Sequence, residues 1–361
     1  AILFIDFSKA FDSLEWDFML ESLKKFGFNE SFQKWVKTLY YDIKGCILNN
    51  GWISETFNIE RGIRQGCPLS ALLFVLSVEL LACRIRDSND IKGIQIKIDK
   101  KTHGLKISQL ADDTTLFLKS KNEIKHALNI IETFGSLSGL KLNRNKTEGI
   151  WLGKLKHCKD KFENINWKHN VKSLGIYFGS DKKECQKLNT EKQLEKSERI
   201  INDWKKRKIS MIGKITIIKT LVIPNITYIA SLINLCKETI SKFKKMIYNF
   251  LWEGGSEKVK RSVLRKNYLE GGLKMTDIDS YIEAMKINWV KRLTDETWAN
   301  WKIIPTYYFS EFGGKNLIFK MNLGSHKSLE NIKNLPTFYL EILKCWIKNG
   351  GGKTKKPENF L

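Results

Sequence analysis

Three aspartates set the chemistry this chain could do. Asp112 and Asp113 are adjacent in the stretch Ile107-Ser108-Gln109-Leu110-Ala111-Asp112-Asp113-Thr114-Thr115-Leu116-Phe117-Leu118, and Asp6 closes the apolar run Ala1-Ile2-Leu3-Phe4-Ile5. Adjacent carboxylates repel each other, and a fold tolerates them where a cation sits between them or where solvent reaches both. Aspartate pairs are also ordinary turn residues, because the side chain bonds its own backbone. A third carboxylate from elsewhere in the chain points toward the cation: three convergent aspartates suit two hard divalent ions with oxygen ligands, which can activate an attacking oxygen and neutralise a leaving pyrophosphate.

The elements that must position them are strands. Residues 106–110 and 114–118 are β-rich runs around Ala-Asp-Asp, which predicts a hairpin with Asp112 and Asp113 at its tip. Residues 1–5 have strand length and put Asp6 at a strand's C-terminal end. Four motifs then follow in order: Asp-Phe-Ser-Lys-Ala-Phe-Asp (6–12), Arg-Gln-Gly-Cys-Pro-Leu-Ser (64–70), Ala-Asp-Asp (111–113) and Gly-Leu-Lys-Leu-Asn-Arg-Asn-Lys-Thr (139–147). In this order they resemble the motifs of reverse transcriptases, above all those of LINE-type retrotransposons, which lack long terminal repeats.

The resemblance implies an α+β fold: a right-hand polymerase palm, an antiparallel sheet with packed helices over residues 1–180 and with incomplete fingers. A mostly helical, basic thumb and connection (181–300) and a C-terminal tail of unknown role (301–361) would follow. It implies Asp6, Asp112, Asp113 and the Phe7 carbonyl as ligands of two Mg²⁺ ions, with Mn²⁺ as a substitute, and Lys146 as the general acid toward pyrophosphate. Gln65 and Gly66 would lie against the templating base and incoming nucleotide, with Arg64 near the nucleic-acid backbone. Phe11 reads either as core or, by resemblance, as a ring that would clash with a ribonucleotide 2′-hydroxyl. Leu110 stands where the family more often has an aromatic residue beside the primer end. Leu174-Gly175-Ile176 resembles the primer-grip hairpin, although a glycine within a strand is also a common bulge.

With 62 Lys+Arg against 39 Asp+Glu, the net charge is +23. An excess of this size suits a polyanionic partner, and it also fits a lysine-rich compositional bias. The excess is densest in residues 181–275, with 22 Lys+Arg against 10 Asp+Glu, compared with 27 against 20 in residues 1–180. There Lys205, Lys206, Arg207 and Lys208 read as duplex-tracking residues, a solvated helix end or a nuclear-import patch. The seven cysteines are scattered without Cys-x-x-Cys, which points to reduced, intracellular thiols and no zinc site. No apolar run of about 18 residues stands out, so neither membrane nor secretion is expected. The chain opens inside a strand without an initiator Met, and is read as a piece of a longer protein.

Further along, helices are expected over Trp16–Phe26, stopped by Gly27, and over Glu30–Tyr41, capped by Asn29 with Phe32, Trp35, Val36 and Leu39 as its core face. A hairpin turning at Asn49-Asn50-Gly51, a glycine-containing loop over 61–70 and a helix from Ala71 to Arg86 come next. In the loop, Gly62 and Gly66 would let backbone approach a ligand. Ile91–Ile107 reads as another hairpin, Ile124–Phe134 as a helix stopped by Gly139, and 148–152 and 171–178 as strands. Helices through Trp204, over 212–222 before Pro224 and over 281–293 follow, then a partly ordered tail with Trp298, Trp301 and a linker at 350–353.

The function expected is RNA-directed DNA synthesis, with an RNA template, a DNA primer or target and deoxynucleotides as partners and a nuclear stage at nicked target DNA. The alternative is a non-catalytic RNA-binding remnant or a maturase-like splicing partner using the basic thumb. The oligomeric state is left open.

Overall fold

In the computed structural model Ile2–Ile5 (β1) lies in the middle of a five-stranded sheet with Ile107–Leu110 (β2), Asp113–Phe117 (β3), Glu148–Ile150 (β4) and Asn166–Trp167 (β5), in the order β5-β4-β1-β3-β2. β1 is antiparallel to both neighbours, pairing Leu3 with Leu116 on one side and with Gly149 on the other. Alternation decides the faces: Leu3, Ile5 and Leu116 point into one core with Phe74, Leu81, Ile124, Leu128 and Ile131. Those partners belong to the helices Pro68–Asp87 and Lys121–Ser138, which cover that face. On the other face Phe4 stacks on Phe178 with ring centroids 6.2 Å apart.

The structure describes residues 1–98, 100–158, 161–297, 299–310, 314 and 335–350, in two compact units. One is Ala1–Gln95 with Thr102–Asp181; the other is Ile96–Lys101 with Lys182–Leu361. Trp298 and residues 351–353 of the expected linker lie outside the described residues.

Local signals in the first unit act as expected. Asn29 caps Glu30–Leu39 through its side chain, 2.8 Å from the Phe32 N–H, and Gly27 and Gly139 take positive φ where their helices stop. Asn50 and Gly51 both have positive φ and close a two-residue hairpin between Leu48–Asn49 and Trp52–Ile53. The expected core face of Glu30–Leu39 is corrected, however. Val36 is buried, but Trp35 is 70% exposed and Leu39 is exposed too, because the helix meets the unit only along the Phe32–Val36 edge.

The second unit is helical. The helix expected to end before Pro224 instead continues: Met211–Ile217 passes through a π-helical turn, Ile218–Val222, into Ile223–Leu232. Proline has no N–H to donate, and the wider turn ahead of it absorbs the missing bond. Among the described residues of the tail two α-helices form. Phe309, Ile342, Leu343 and Trp346, from helices Ile303–Ser310 and Thr337–Lys348, share a core with Val290 and Leu293.

Two helices, Pro68–Asp87 and Met211–Leu232, are long and apolar enough to cross a membrane, against the expectation of no such run. Interruptions such as Ser77, Glu79 and Lys214 hide them from a search for unbroken apolar residues. Their length and composition also suit core helices, and 44% of each apolar window is buried within the fold.

Candidate active site

The sheet register brings Asp6 and Asp113 together. Ile5 pairs with Thr114 as the last pair of the ladder, so Asp6 leaves β1 near Asp113, whose carboxyl feels its charge. Asp113 pairs in turn with Leu110, leaving Ala111 and Asp112 as the two-residue connection at the hairpin tip. Ala111 takes φ 52°, a left-handed conformation that costs an L-residue roughly 1–2 kcal/mol. The strained turn holds Asp112 and Asp113 at the exposed end of the sheet, beside a half-buried Asp6. The carboxyl of Asp113 is pushed above the ordinary carboxylate range, first by partial burial, then by the charges of Asp112 and of Asp6. All three groups therefore share one electrostatic neighbourhood.

A second strand crossing fixes Asp6 from the other side. Phe7–Ser8 pairs with Lys141–Leu142, the Asn143 N–H donates to the Asp6 carbonyl at 2.8 Å, and the Asp6 N–H donates to Thr147 Oγ1 at 3.3 Å. Thr147 is fully buried, so this anchor is shielded from water. The same lacing brings Lys146, itself exposed, into the segment that holds Asp6. Asn143 Oδ1 accepts from the Lys146 N–H at 3.3 Å and shapes the turn. The sequence singles out Lys146 but not Asn143 or Thr147, although both lie in the Gly-Leu-Lys-Leu-Asn-Arg-Asn-Lys-Thr segment, because nothing local shows that Asp6 is their partner. The Phe7 side chain is buried in the core, which leaves only its main chain for a metal.

The loop of residues 61–66 is tied to the segment after Asp6. The Gly62 N–H donates to the Leu14 carbonyl at 2.8 Å, the Ile63 N–H to the Phe11 carbonyl at 2.7 Å, and Trp16 Nε1 to the Gly62 carbonyl at 2.6 Å. Gly62 has φ 87°, and a Cβ there would sit 2.8 Å from the Asp12 carbonyl oxygen. Its close approach is thus to the chain itself, which corrects the expectation of a ligand contact. Gly66 has the same φ and nothing within 4 Å of a Cβ, so its backbone remains open to a ligand. Gln65 Nε2 reaches Asp12 Oδ1 at 3.4 Å, and Arg64 is exposed. Phe11 rests its ring on Phe74, centroids 4.4 Å apart at 19°, so the fold fixes its position while one side stays uncovered.

Leu110 is 61% exposed at the end of β2, beside the aspartate turn. Leu174 and Gly175 form the two-residue turn of a hairpin, Asn170–Ser173 with Ile176–Gly179, and both take positive φ. Gly175 is therefore a turn glycine and not a bulge. Lys205, Lys206, Arg207 and Lys208 belong to the second unit, at and beyond the end of the helix Lys182–Lys205, and all four are exposed. Arg207 stacks over Trp204 at 4.4 Å, and Lys206 pairs with Asp203 at 3.2 Å.

Carboxylates and a main-chain carbonyl are the donor types a hard divalent ion takes, and Asp113 is raised first by partial burial and then by the charges of Asp112 and Asp6. Among the described residues no three acidic, His or Cys side chains converge closely enough to hold a metal unaided. Mg²⁺ normally takes one or two carboxylates and completes its shell with water and substrate phosphates, so an open set is the arrangement expected for it.

Residues 1–178 match the family model described as "Reverse transcriptase (RNA-dependent DNA polymerase)". The chain is 25% identical over 359 residues to the "Transposon TX1 uncharacterized 149 kDa protein" of Xenopus laevis, an alignment covering 96% of this chain and 26% of that protein. It is 32% identical over 150 residues to the Pol polyprotein of the type-2 retrotransposable element R2DM of Drosophila melanogaster, covering 40% of this chain and 13% of that protein. A solved telomerase structure from Candida albicans, with a fragment of telomeric RNA, aligns with 83% of this chain and 50% of its own at 12% identity and a TM-score of 0.36. The chain thus spans about a quarter of the TX1 protein's length.

Proposed function

Because residues 1–178 belong to the reverse transcriptase family, in the form carried by retrotransposons without long terminal repeats, we propose that this chain extends a DNA primer on an RNA template. The observation that carries the reading is the sheet register that ends β1 beside the aspartate turn, so that Asp113 feels the charges of both Asp112 and Asp6. These carboxylates and the Phe7 carbonyl would hold two Mg²⁺ ions, or Mn²⁺ in their place. Bound there, the ions would supply charge neutralisation at the α-phosphate and lower the pKa of the primer 3′-hydroxyl.

The chain's own residues do the rest. Thr147 and Asn143 hold the Asp6 backbone, so its carboxylate keeps its direction during turnover. Phe11, seated on Phe74, excludes the 2′-hydroxyl of a ribonucleotide. Gly66 and Gln65 receive the base pair being formed, and Arg64 meets backbone phosphate. Lys146 holds a proton on Nζ and donates it to the oxygen of the departing pyrophosphate. Leu110, Leu174 and Gly175 position the primer strand. Lys205, Lys206, Arg207 and Lys208 meet duplex phosphates in a salt-dependent way. Synthesis primed at a nick in target DNA places the step in the nucleus.

Two measurements test this reading. Mg²⁺-dependent binding of a deoxynucleotide to the chain, followed by equilibrium dialysis, is expected for wild type and lost in Asp112→Asn. Primer extension on an RNA template is expected to fall at least about 100-fold in Asp112→Asn and in Asp113→Asn. Extension that survives both substitutions would overturn the assignment.

A further inference from the structure

The second unit carries a groove remote in sequence from the aspartates. Its walls are the helices Ile223–Leu232 and Ile278–Thr294, joined by three bonds. Trp289 Nε1 donates to the Ser231 carbonyl at 2.7 Å, Lys286 Nζ donates to the Ile233 carbonyl at 2.7 Å, and the Thr227 and Tyr281 hydroxyls lie 2.9 Å apart. With the walls held this way, a cleft of about 560 Å³ opens between Tyr228, Tyr281, Met285, Asn288, Trp289 and Arg292. Past Trp289 and Arg292, which line both, a second cleft of about 380 Å³ runs on to Trp301 and Lys302.

The lining has a consistent chemistry. Tyr228, 48% exposed, and Trp301 present uncovered aromatic surface, and Trp289 stands between them with its ring edge-on to Trp301 at 5.5 Å. Arg292 lays its exposed guanidinium 5.1 Å from the Trp289 ring, and Asn288 offers an exposed amide. Aromatic faces stack bases, an amide can pair with a base edge, and a guanidinium meets phosphate. Among the described residues one carboxylate, Asp295, lines the clefts, and it already accepts from the Thr297 N–H and hydroxyl at 2.9 and 2.8 Å. Upstream, residues 181–275 carry 22 Lys+Arg against 10 Asp+Glu, a charge balance complementary to a phosphate backbone.

We infer that this groove binds successive unpaired nucleotides of a nucleic-acid strand by stacking, at a site separate from the aspartate turn. The inference rests on the family reading only for the class of ligand. Two stacking positions share the Trp289–Arg292 wall, so a strand would enter one cleft and leave by the other.

The test uses the full chain with fluorescein-labelled single-stranded U10, single-stranded dT10 and a ten-base-pair duplex at 150 mM salt. Each is measured against wild type, Tyr228→Ala, Tyr228→Phe, Arg292→Ala and Asp112→Asn. Tyr228→Ala and Arg292→Ala should each weaken single-strand binding about fivefold or more and leave duplex binding within twofold. Tyr228→Phe should restore it, and Asp112→Asn should bind as wild type. The last arm keeps the groove distinct from the polymerase reading, since either can fail alone. Comparing U10 with dT10 tells RNA from DNA as the occupant. A 5-bromouridine-substituted U10 should crosslink to Tyr228, Trp289 or Trp301. Unchanged single-strand affinity, an equal loss for duplex, or crosslinks confined to other residues would overturn the inference and leave the groove to another kind of occupant, such as a peptide.

Discussion

Lys286 is fully buried on the helix Ile278–Thr294, with its ammonium 4.5 Å from the Phe338 ring and donating to the Ile233 carbonyl at 2.7 Å. Burial brings its pKa down from 10.5 to about 8, against a smaller opposing pull from Glu341 and Cys345. Below pH 8 both the folded and unfolded chains hold the proton, and the folded state carries the whole cost of the buried charge. Between about pH 8 and 10.5 the unfolded chain stays protonated while the folded one lets go, so stability rises with pH. A fall from 10.5 to about 8 is worth about 3 kcal/mol. Two neighbours work the other way: burial raises the Cys345 thiol to about 11 and Tyr339 to about 12, so each lowers stability above its ordinary pKa. The difference between wild type and Lys286→Met cancels the Tyr339 contribution and leaves the lysine with its minor pull on Cys345. In urea denaturation followed by tryptophan fluorescence, wild type should gain about 3 kcal/mol on the variant between pH 7.5 and 10.5. At pH 7.5 the two should lie close together, because methionine removes the buried charge but strands the Ile233 carbonyl, a loss of roughly 1–3 kcal/mol. A difference that stays flat across this range would refute the assignment of the cost to Lys286.

Three further outcomes are expected. Leu174→Gly, by releasing a leucine from φ 47°, should stabilise the first unit by about 1 kcal/mol in thermal unfolding and weaken primer binding through the loss of the exposed side chain. Gly62→Ala should lower the melting temperature sharply and weaken nucleotide binding, because its Cβ meets the Asp12 carbonyl at 2.8 Å; Gly66→Ala, with the same φ and open space, should cost only about 1–2 kcal/mol. Phe11→Val should cut discrimination between deoxy- and ribonucleotides about tenfold or more in single-nucleotide incorporation, the scale of one lost steric contact.

Much of the first unit could be read from the sequence because its signals are local. Asn29, through its side chain, and Gly27, Gly139 and Asn50-Gly51, through their backbone, act within a few residues of themselves, so they cap or turn wherever they stand. The aspartate turn was legible for the same reason, with its carboxylates bracketed by strand-forming runs. What escaped depends on neighbours the sequence does not name. Trp35 and Leu39 share a periodic stripe with Val36, yet only Val36 meets a partner. Thr147 looks like any loop threonine until the sheet brings Asp6 to it across 141 residues. Gly62 was read for a ligand when its neighbour is the Asp12 backbone. The Pro224 helix went wrong because a π-helical turn, invisible in a pattern of side chains, removes the reason proline stops a helix.

The position of β1 at the centre of the sheet has a consequence for synthesis on the ribosome. Both of its edges are closed by strands made much later, Asp113–Phe117 on one side and Glu148–Ile150 on the other. At about 5–20 residues per second, the ribosome takes roughly 6–22 s after Ile5 to reach the first of these partners, and longer to reach the second. Throughout that interval Ile2–Ile5 is an apolar strand with two open edges, which makes it a natural client for a chaperone. A ribosome that stops before Asp112 releases a chain holding Asp6 alone of the three aspartates and none of the basic stretch 181–275.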